Sequence, residues 1–171
     1  MKRKLLLGSG VAGVSLLLAA SPALAQDADD PSVYLQAVMD NLWVFIAGIL
    51  VFFMQAGFAL VEAGLTRSKN VANIMAKNIA DMCIGVLAFY AVGYAFAYGD
   101  GGGWFIGGNS YFLSGSSLFE ITEGLSGATD FFFQVVFAAT AVTIASGAMA
   151  GRTKFSAYLM FAGLMTAFIY P

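Results

Sequence analysis

Four uncharged stretches divide most of the chain. Residues 41–61, 82–99, 131–151 and 155–171 contain no Asp, Glu, Lys or Arg. A bilayer core is spanned by about 20 apolar residues of α-helix. The sequence therefore predicts an all-α integral membrane protein. We expect its helices at about residues 36–64, 70–98, 129–151 and 155–171, of which the last need not be complete.

Composition supports this class and excludes others. The chain of 171 residues is 60% hydrophobic and only 11% charged, whereas soluble domains are about a quarter charged. One cysteine rules out an internal disulfide, and the absence of histidine removes the commonest proton shuttle and metal ligand. No phosphate-binding loop, catalytic triad, metal-ligand spacing or basic patch is present. We predict neither an enzyme nor a nucleic-acid-binding protein, and no cofactor.

The first 25 residues have the pattern of a secretory signal peptide. A basic start, MKRK, precedes the apolar run LLLGSGVAGVSLLLAA and a small-residue site, SPALA. We expect residues 1–25 to be removed and residues 26–171 to form one transmembrane domain. An uncleaved signal anchor is the alternative.

Basic residues predict the orientation. After residue 25 the chain has five of them: Arg67, Lys69, Arg152 and Lys154 in two connections, and Lys77 close to the first connection. The other extramembrane segments are acidic. The positive-inside rule therefore places the mature N-terminus outside, as the signal peptide also requires. Residues 99–130 are expected to form an external loop, with a short interfacial helix around residues 117–124.

Small and polar residues interrupt the apolar helices. Gly57 and Gly64 lie seven apart, and Ala59 and Ala63 lie four apart, as do Gly147 and Gly151. Because lipid gives helices no hydrophobic reason to associate, such residues favour close helix packing.

Five polar residues accompany them: Gln55, Glu62, Lys77, Asn78 and Asp81. Charges at this depth are costly unless they are paired or hydrated. They either line a polar path or form an internal network that fixes helix packing. Spacing favours the network for Glu62, Lys77 and Asp81. Because Lys77 and Asp81 are four apart, they share a helix face and could pair.

The third uncharged stretch begins with aromatic residues. Phe133 and Phe137 are four apart, so their rings lie along one side of a helix. Ring faces attract cations, by about 0.5–1 kcal/mol when exposed and more when dehydrated. Gln134 adds a polar group nearby. A pore that binds a small cation and blocks its hydrated passage is one interpretation. Ordinary contact with lipid or a neighbouring helix is the other, and spacing alone favours it.

Three segments together resemble the ammonium transporter family (Amt/Mep/Rh). They are FFMQAGFALVEAGLTRSKNVANIMAKN, FFFQVVFAATAVTIASGAMAGRTKFSAYLMF and the terminal IYP. The likeness extends from about residue 36 to residue 171, and the signal peptide suits the bacterial branch.

The resemblance implies an eleven-helix fold, of which this chain holds about four helices, and assembly as homotrimers. It implies recruitment of ammonium at an outer aromatic site, loss of a proton, and passage of ammonia through a hydrophobic pore. Phe133 would form a wall of the recruitment site, Gln134 would lie beside it, and Phe137 would be the first gate residue. A PII-type signal protein is an implied partner, and the bacterial inner membrane is the implied location.

The family's pore histidines would lie beyond residue 171, so we expect the chain to be an N-terminal fragment. Two other functions stay open: an ammonium sensor coupled to a signalling domain, and a small four-helix membrane protein. We expect Glu62 to have a structural role near the cytoplasmic vestibule.

Overall fold

The computed structural model describes residues 31–99, 106–114 and 124–171. The predicted signal peptide and residues 117–123 of the predicted interfacial helix lie outside these residues. The described helices are α1 (Pro31–Leu65), α2 (Ser68–Tyr98), α3 (Gly127–Met149) and α4 (Phe155–Ile169). The first three are long and apolar enough to cross a membrane, whereas α4 is shorter.

Helix α1 contains 35 residues, so it is roughly 52 Å long and exceeds the ~30 Å bilayer core. It begins at residue 31, five residues before the predicted start. Its buried residues form one narrow stripe, Ala37, Asn41, Gly48, Gln55 and Glu62. The last four of these are spaced by seven, a repeat that keeps a single seam of the helix against its neighbours.

The rest of the α1 surface is largely exposed in the described part of the chain. Leu50, Phe53 and Leu60 are each about two-thirds exposed. Lipid tails are as apolar as these side chains, so their exposure is expected on a membrane helix.

Helix α2 lies at the centre of the described bundle and contacts α1, α3 and α4. It runs as an α-helix over Val71–Ala88, forms a π-helical turn at Phe89–Gly93 and finishes as an α-helix at Tyr94–Tyr98. Helix α4 also ends in a π-helical turn, Met165–Ile169.

The two π-helical turns pack against each other through Gly93. A Cβ atom at this position would overlap the carbonyl oxygen of Thr166 and lie 2.7 Å from the ring of Phe89. Only glycine allows the two helices to approach this closely.

The two basic connections lie at the same end of the bundle, which we call the basic end. Arg67 and Arg152 line one cavity there, and a Cβ at Gly151 would lie 3.7 Å from Nδ2 of Asn70. The opposite end, where α3 begins and Phe131 lies, is the aromatic end. The helices therefore run alternately from one end to the other.

The predicted packing role of Gly57 and Gly64 is not seen within the described residues. A Cβ at either position would meet no atom of that part of the chain within 4 Å. Close approaches between helices occur at Gly48, Gly85 and Gly93 instead. In α1 the buried seam passes through Gly48 and not through Gly57.

Candidate functional site

Three consecutive phenylalanines at the start of α3 have three different environments. Phe131 packs on α2, with its ring centroid 5.6 Å from that of Tyr94 and 6.2 Å from that of Phe89. Phe132 packs on α1, 5.1 Å from Phe45. Because successive helical residues point about 100° apart, Phe133 is left on the remaining side of the helix.

Phe133 and Phe137 form the pair that the sequence spacing predicts. Their ring centroids are 5.0 Å apart and the ring planes are inclined by 64°, an edge-to-face arrangement. Phe137 is 36% exposed, so it keeps an open face. The pair lies along one side of α3, near the aromatic end.

Gln134 belongs to a different set of contacts. Its side-chain amide donates to Oδ1 of Asp130 at 3.4 Å, and the hydroxyl of Tyr94 donates to Oδ2 of Asp130 at 2.6 Å. The structure thus brings Phe133 and Phe137 together and ties Gln134 to α2 through Asp130. Sequence reasoning missed Asp130, although a carboxylate in the first turn of a helix is a recognisable signal.

A second missed residue, Asn41, holds the start of α3. Its side-chain oxygen accepts from the backbone N–H of Ser126 at 2.8 Å, and its amide donates to the carbonyl of Gly124 at 2.9 Å. Ser126 in turn accepts from the backbone N–H of Thr129 and caps the helix. These bonds fix where α3 enters the bundle, and hence where the aromatic pair lies.

A buried polar network crosses the four helices toward the basic end. Asp81 is fully buried and accepts from the hydroxyl of Tyr158, from Gln55 at 3.2 Å and from Thr143 at 3.5 Å. The ring of Tyr158 lies under the amine of Lys77, which is 4.1 Å from the ring centroid. Lys77 and Asp81, which the spacing would allow to pair, both contact Tyr158: the amine lies over the ring and the carboxylate accepts from the hydroxyl.

Glu62 anchors the part of the network nearest the basic end. Its Oε2 accepts from the side-chain amide of Asn78 at 3.0 Å and from the hydroxyl of Ser146 at 3.1 Å. This arrangement agrees with the sequence-based preference for an internal network. Tyr158, which links α4 to Asp81, has no local signal in the sequence that would have identified it.

A cavity of about 650 Å³ opens beside Glu62 at the basic end. It lies between the ends of α1 and α3. Its lining comprises Phe58, Val61, Glu62, Leu65, Thr66, Arg67, Asn70, Thr143, Ile144, Gly147, Ala150, Gly151 and Arg152.

Comparison with known proteins identifies the family. The sequence profile described as "Ammonium Transporter Family" matches residues 42–171. The chain belongs to the Ammonium Transporter Family. This confirms the resemblance inferred from the three sequence segments.

Individual relatives agree. The chain is 44% identical over 165 residues to "Ammonium transporter Amt2" of Archaeoglobus fulgidus, covering 92% of this chain and 33% of that protein. It is 46% identical over 143 residues to "Ammonium transporter Amt1" of Haloferax mediterranei, covering 83% of this chain and 27% of that protein.

A solved structure titled "Sensor Amt Protein" superposes with a TM-score of 0.74 and 37% identity, covering 80% of this chain and 33% of that one. This similarity confirms the predicted all-α membrane-protein fold class. The chain spans about a third of the length of these relatives. Family members are named as transporters, in agreement with the prediction that this is not an enzyme.

Proposed function

We propose that this chain supplies the entrance and first gate of a pathway that carries ammonium across a membrane. Membership of the Ammonium Transporter Family supports the substrate. The edge-to-face pair Phe133–Phe137, in the matched region and with an open ring face, is the observation that carries the assignment of the gate. In this proposal Phe133 recruits ammonium and Phe137 closes the way to hydrated ions.

The chemistry of the pair suits ammonium. A ring face attracts a desolvated cation by about 2 kcal/mol, which is too little to replace a full hydration shell. Ammonium that releases a proton to an acceptor on the entrance side continues as neutral ammonia, so no charge enters the low-dielectric interior. Potassium cannot lose its charge in this way and is excluded.

Gln134 is proposed to lie at the recruitment site as a positioned polar group. Its bond to Asp130 holds the side chain in one place and leaves its carbonyl oxygen free to accept from a donor. The Asp130 carboxylate, to which Gln134 donates, adds a negative electrostatic potential that favours a cation at the entrance.

The proposed location is the bacterial inner membrane, with the mature N-terminus outside and residues 1–25 removed as a signal peptide. The shared position of Arg67 and Arg152 at one end of the bundle supports this orientation, because basic residues favour the cytoplasmic side. The family resemblance supports assembly as homotrimers and a PII-type partner on the cytoplasmic side.

Uptake of labelled methylammonium by cells expressing the complete gene product tests the gate. Phe133→Ala should raise the half-saturating concentration by about 3–30-fold, the equivalent of one cation–ring contact. Phe137→Arg should lower uptake at least about tenfold, because a fixed cation repels the substrate.

Phe53→Ala is the matched control, since this ring is 67% exposed on the far side of α1 and lies outside the pair. It should transport like the wild type. Wild-type uptake by Phe137→Arg would contradict the gate assignment.

A second candidate function is ammonium sensing. The structural relative titled "Sensor Amt Protein" favours it. Methylammonium binding by the purified complete protein, together with no uptake into proteoliposomes, would support sensing over transport.

A further inference from the structure

We propose that Glu62 forms a second binding site for a small ammonium cation, at the basic end of the bundle. This inference rests on the proposed function and adds a site on the opposite side of the membrane from the aromatic pair. The site is the cavity between the ends of α1 and α3, and the Glu62 carboxylate forms part of its wall.

The two carboxylate oxygens of Glu62 have different environments. Oε2 accepts from Asn78 and Ser146, which fix the side chain in the bundle. Oε1 accepts no hydrogen bond from the described residues. It faces the cavity side of Gly147, where an added Cβ would lie 3.6 Å from it. The carboxylate is thus held by one oxygen and presents the other to the cavity, where an N–H donor would complete its coordination.

The charged side chains of the buried network do not balance. Three charged side chains are buried in the described part of the bundle: Glu62 at 8% exposure, Lys77 at 2% and Asp81 at 0%. In ionised form they sum to −1. Lys77 is the one buried cation among the described residues and interacts electrostatically with both Glu62 and Asp81, so one negative charge of the network is left uncompensated. A buried carboxylate without a counter-ion is costly, and a bound cation removes that cost.

The cavity has room for such a cation and lies in line with the aromatic pair. Ile144 lines it and follows Phe137 on α3 by seven residues, so the two lie along the same side of that helix. Phe58 adds an aromatic ring to the wall. Ammonia that leaves a pathway beginning at the pair and takes up a proton from water at the basic end would therefore form a cation beside Glu62.

Two arginines at the rim do not neutralise Glu62. Arg67 and Arg152 line the same cavity but are exposed, whereas Glu62 is buried. Salt screens interactions between solvent-exposed charges, with a Debye length of about 8–10 Å, whereas buried charges are screened much less. A small cation that can enter the cavity and reach Glu62 is therefore favoured over a large one that stays beside Arg67 and Arg152.

The test separates affinity at the two sides of the membrane, with the complete gene product in oriented proteoliposomes. Glu62→Gln keeps an oxygen that can accept from Asn78 and Ser146, so the network survives. It should raise the half-saturating methylammonium concentration for transport from the basic end about tenfold or more, the usual effect of losing a charged hydrogen-bond partner. The concentration for transport from the aromatic end should change less than about threefold.

Two further variants control for structure. Gly147→Ala adds a methyl group at ordinary contact distance from Oε1 and should weaken affinity at the basic end without lowering the melting temperature. Asp40→Asn makes the same acid-to-amide change at an exposed position near the other end of α1, and both affinities should stay as in the wild type.

Infrared difference spectra give a readout that needs no transport. Adding methylammonium to the purified protein, with choline as the ionic control, should shift a carboxylate band that disappears in Glu62→Gln. Wild-type uptake with no such band, or with equal affinity changes at both ends in Glu62→Gln, would overturn the site and leave the proposed function standing. A wild type that moves no methylammonium would overturn the proposed function, whereas the band would still support a cation site.

Discussion

At the aromatic end α3 packs through rings as well as through the hydrogen bonds of Asn41 and Asp130, whereas toward the basic end its side chains meet the neighbouring helices through hydrogen bonds. Phe131 and Phe132 pack against rings of α2 and α1, and the bonded partners of Thr143 and Ser146 are polar side chains of the same two helices. Rings still pack well when the surroundings are apolar, because they gain contact area and preferred geometry.

Polar side chains form hydrogen bonds across helices because lipid tails offer them no hydrogen-bond partner. Helix α3 thus packs through ring contacts near one end and through side-chain hydrogen bonds near the other. The polar half should therefore depend on particular atoms, and the aromatic half on shape.

Removing the centre of the polar network should have the largest effect on stability. Asp81→Leu deletes the acceptor for Tyr158 and Gln55 and leaves the buried Lys77 amine with one of its two neighbouring carboxylates. We expect the free energy of unfolding to fall by about 3–5 kcal/mol. Titration of the purified protein with SDS in mixed micelles measures it.

The paired variant separates charge from shape. Adding Lys77→Met to Asp81→Leu removes both charges, which is often close to neutral in a buried ion pair. The double variant should recover more than half of the lost stability. A double variant less stable than Asp81→Leu would mean that the charges do not compensate each other.

A smaller loss is expected when only a hydroxyl is removed. Tyr158→Phe keeps the ring under Lys77 but deletes the donor to Asp81. A hydrogen bond to a charged group contributes about 1.5–3 kcal/mol, so the unfolding free energy should fall by that amount. Tyr34→Phe, at an exposed position, is the control and should change stability by less than about 0.5 kcal/mol. A loss for Tyr158→Phe near the ~0.6 kcal/mol of neutral interhelical bonds would argue against a charged acceptor.

The aromatic half should be sensitive to shape at Gly93. Gly93→Ala places a methyl group against the Thr166 carbonyl and the Phe89 ring, and the backbone atom cannot move aside. Overpacking of this kind costs about 1–3 kcal/mol. Gly57→Ala makes the same change on the open side of α1, where stability should stay within about 0.5 kcal/mol. Equal melting temperatures for the two variants would show that the π-helical turns do not pack this closely in the membrane.

Much of the candidate site could be predicted from the sequence. The spacing of Phe133 and Phe137 is enough to place them on one side of α3, because helical geometry fixes which side chains are neighbours. The partners of Phe131 and Phe132 could not be predicted, since they lie on other helices. Gln134 bonds to Asp130 four residues earlier on the same helix, and the part that could not be predicted is the bond from Tyr94 to Asp130. Gly57 illustrates the limit: its spacing to Gly64 suggests packing, yet the seam of α1 runs through Gly48, Gln55 and Glu62.

The sequence alone determined the class of protein, the four apolar stretches and the family resemblance. Bilayer thickness and the cost of charge in lipid act on each stretch separately, so their effects can be recognised in the sequence. Only the tertiary structure decided that Tyr158 joins Lys77 to Asp81, and that one oxygen of Glu62 faces a cavity. Those contacts join residues up to 84 positions apart, and their geometry follows from how the helices pack.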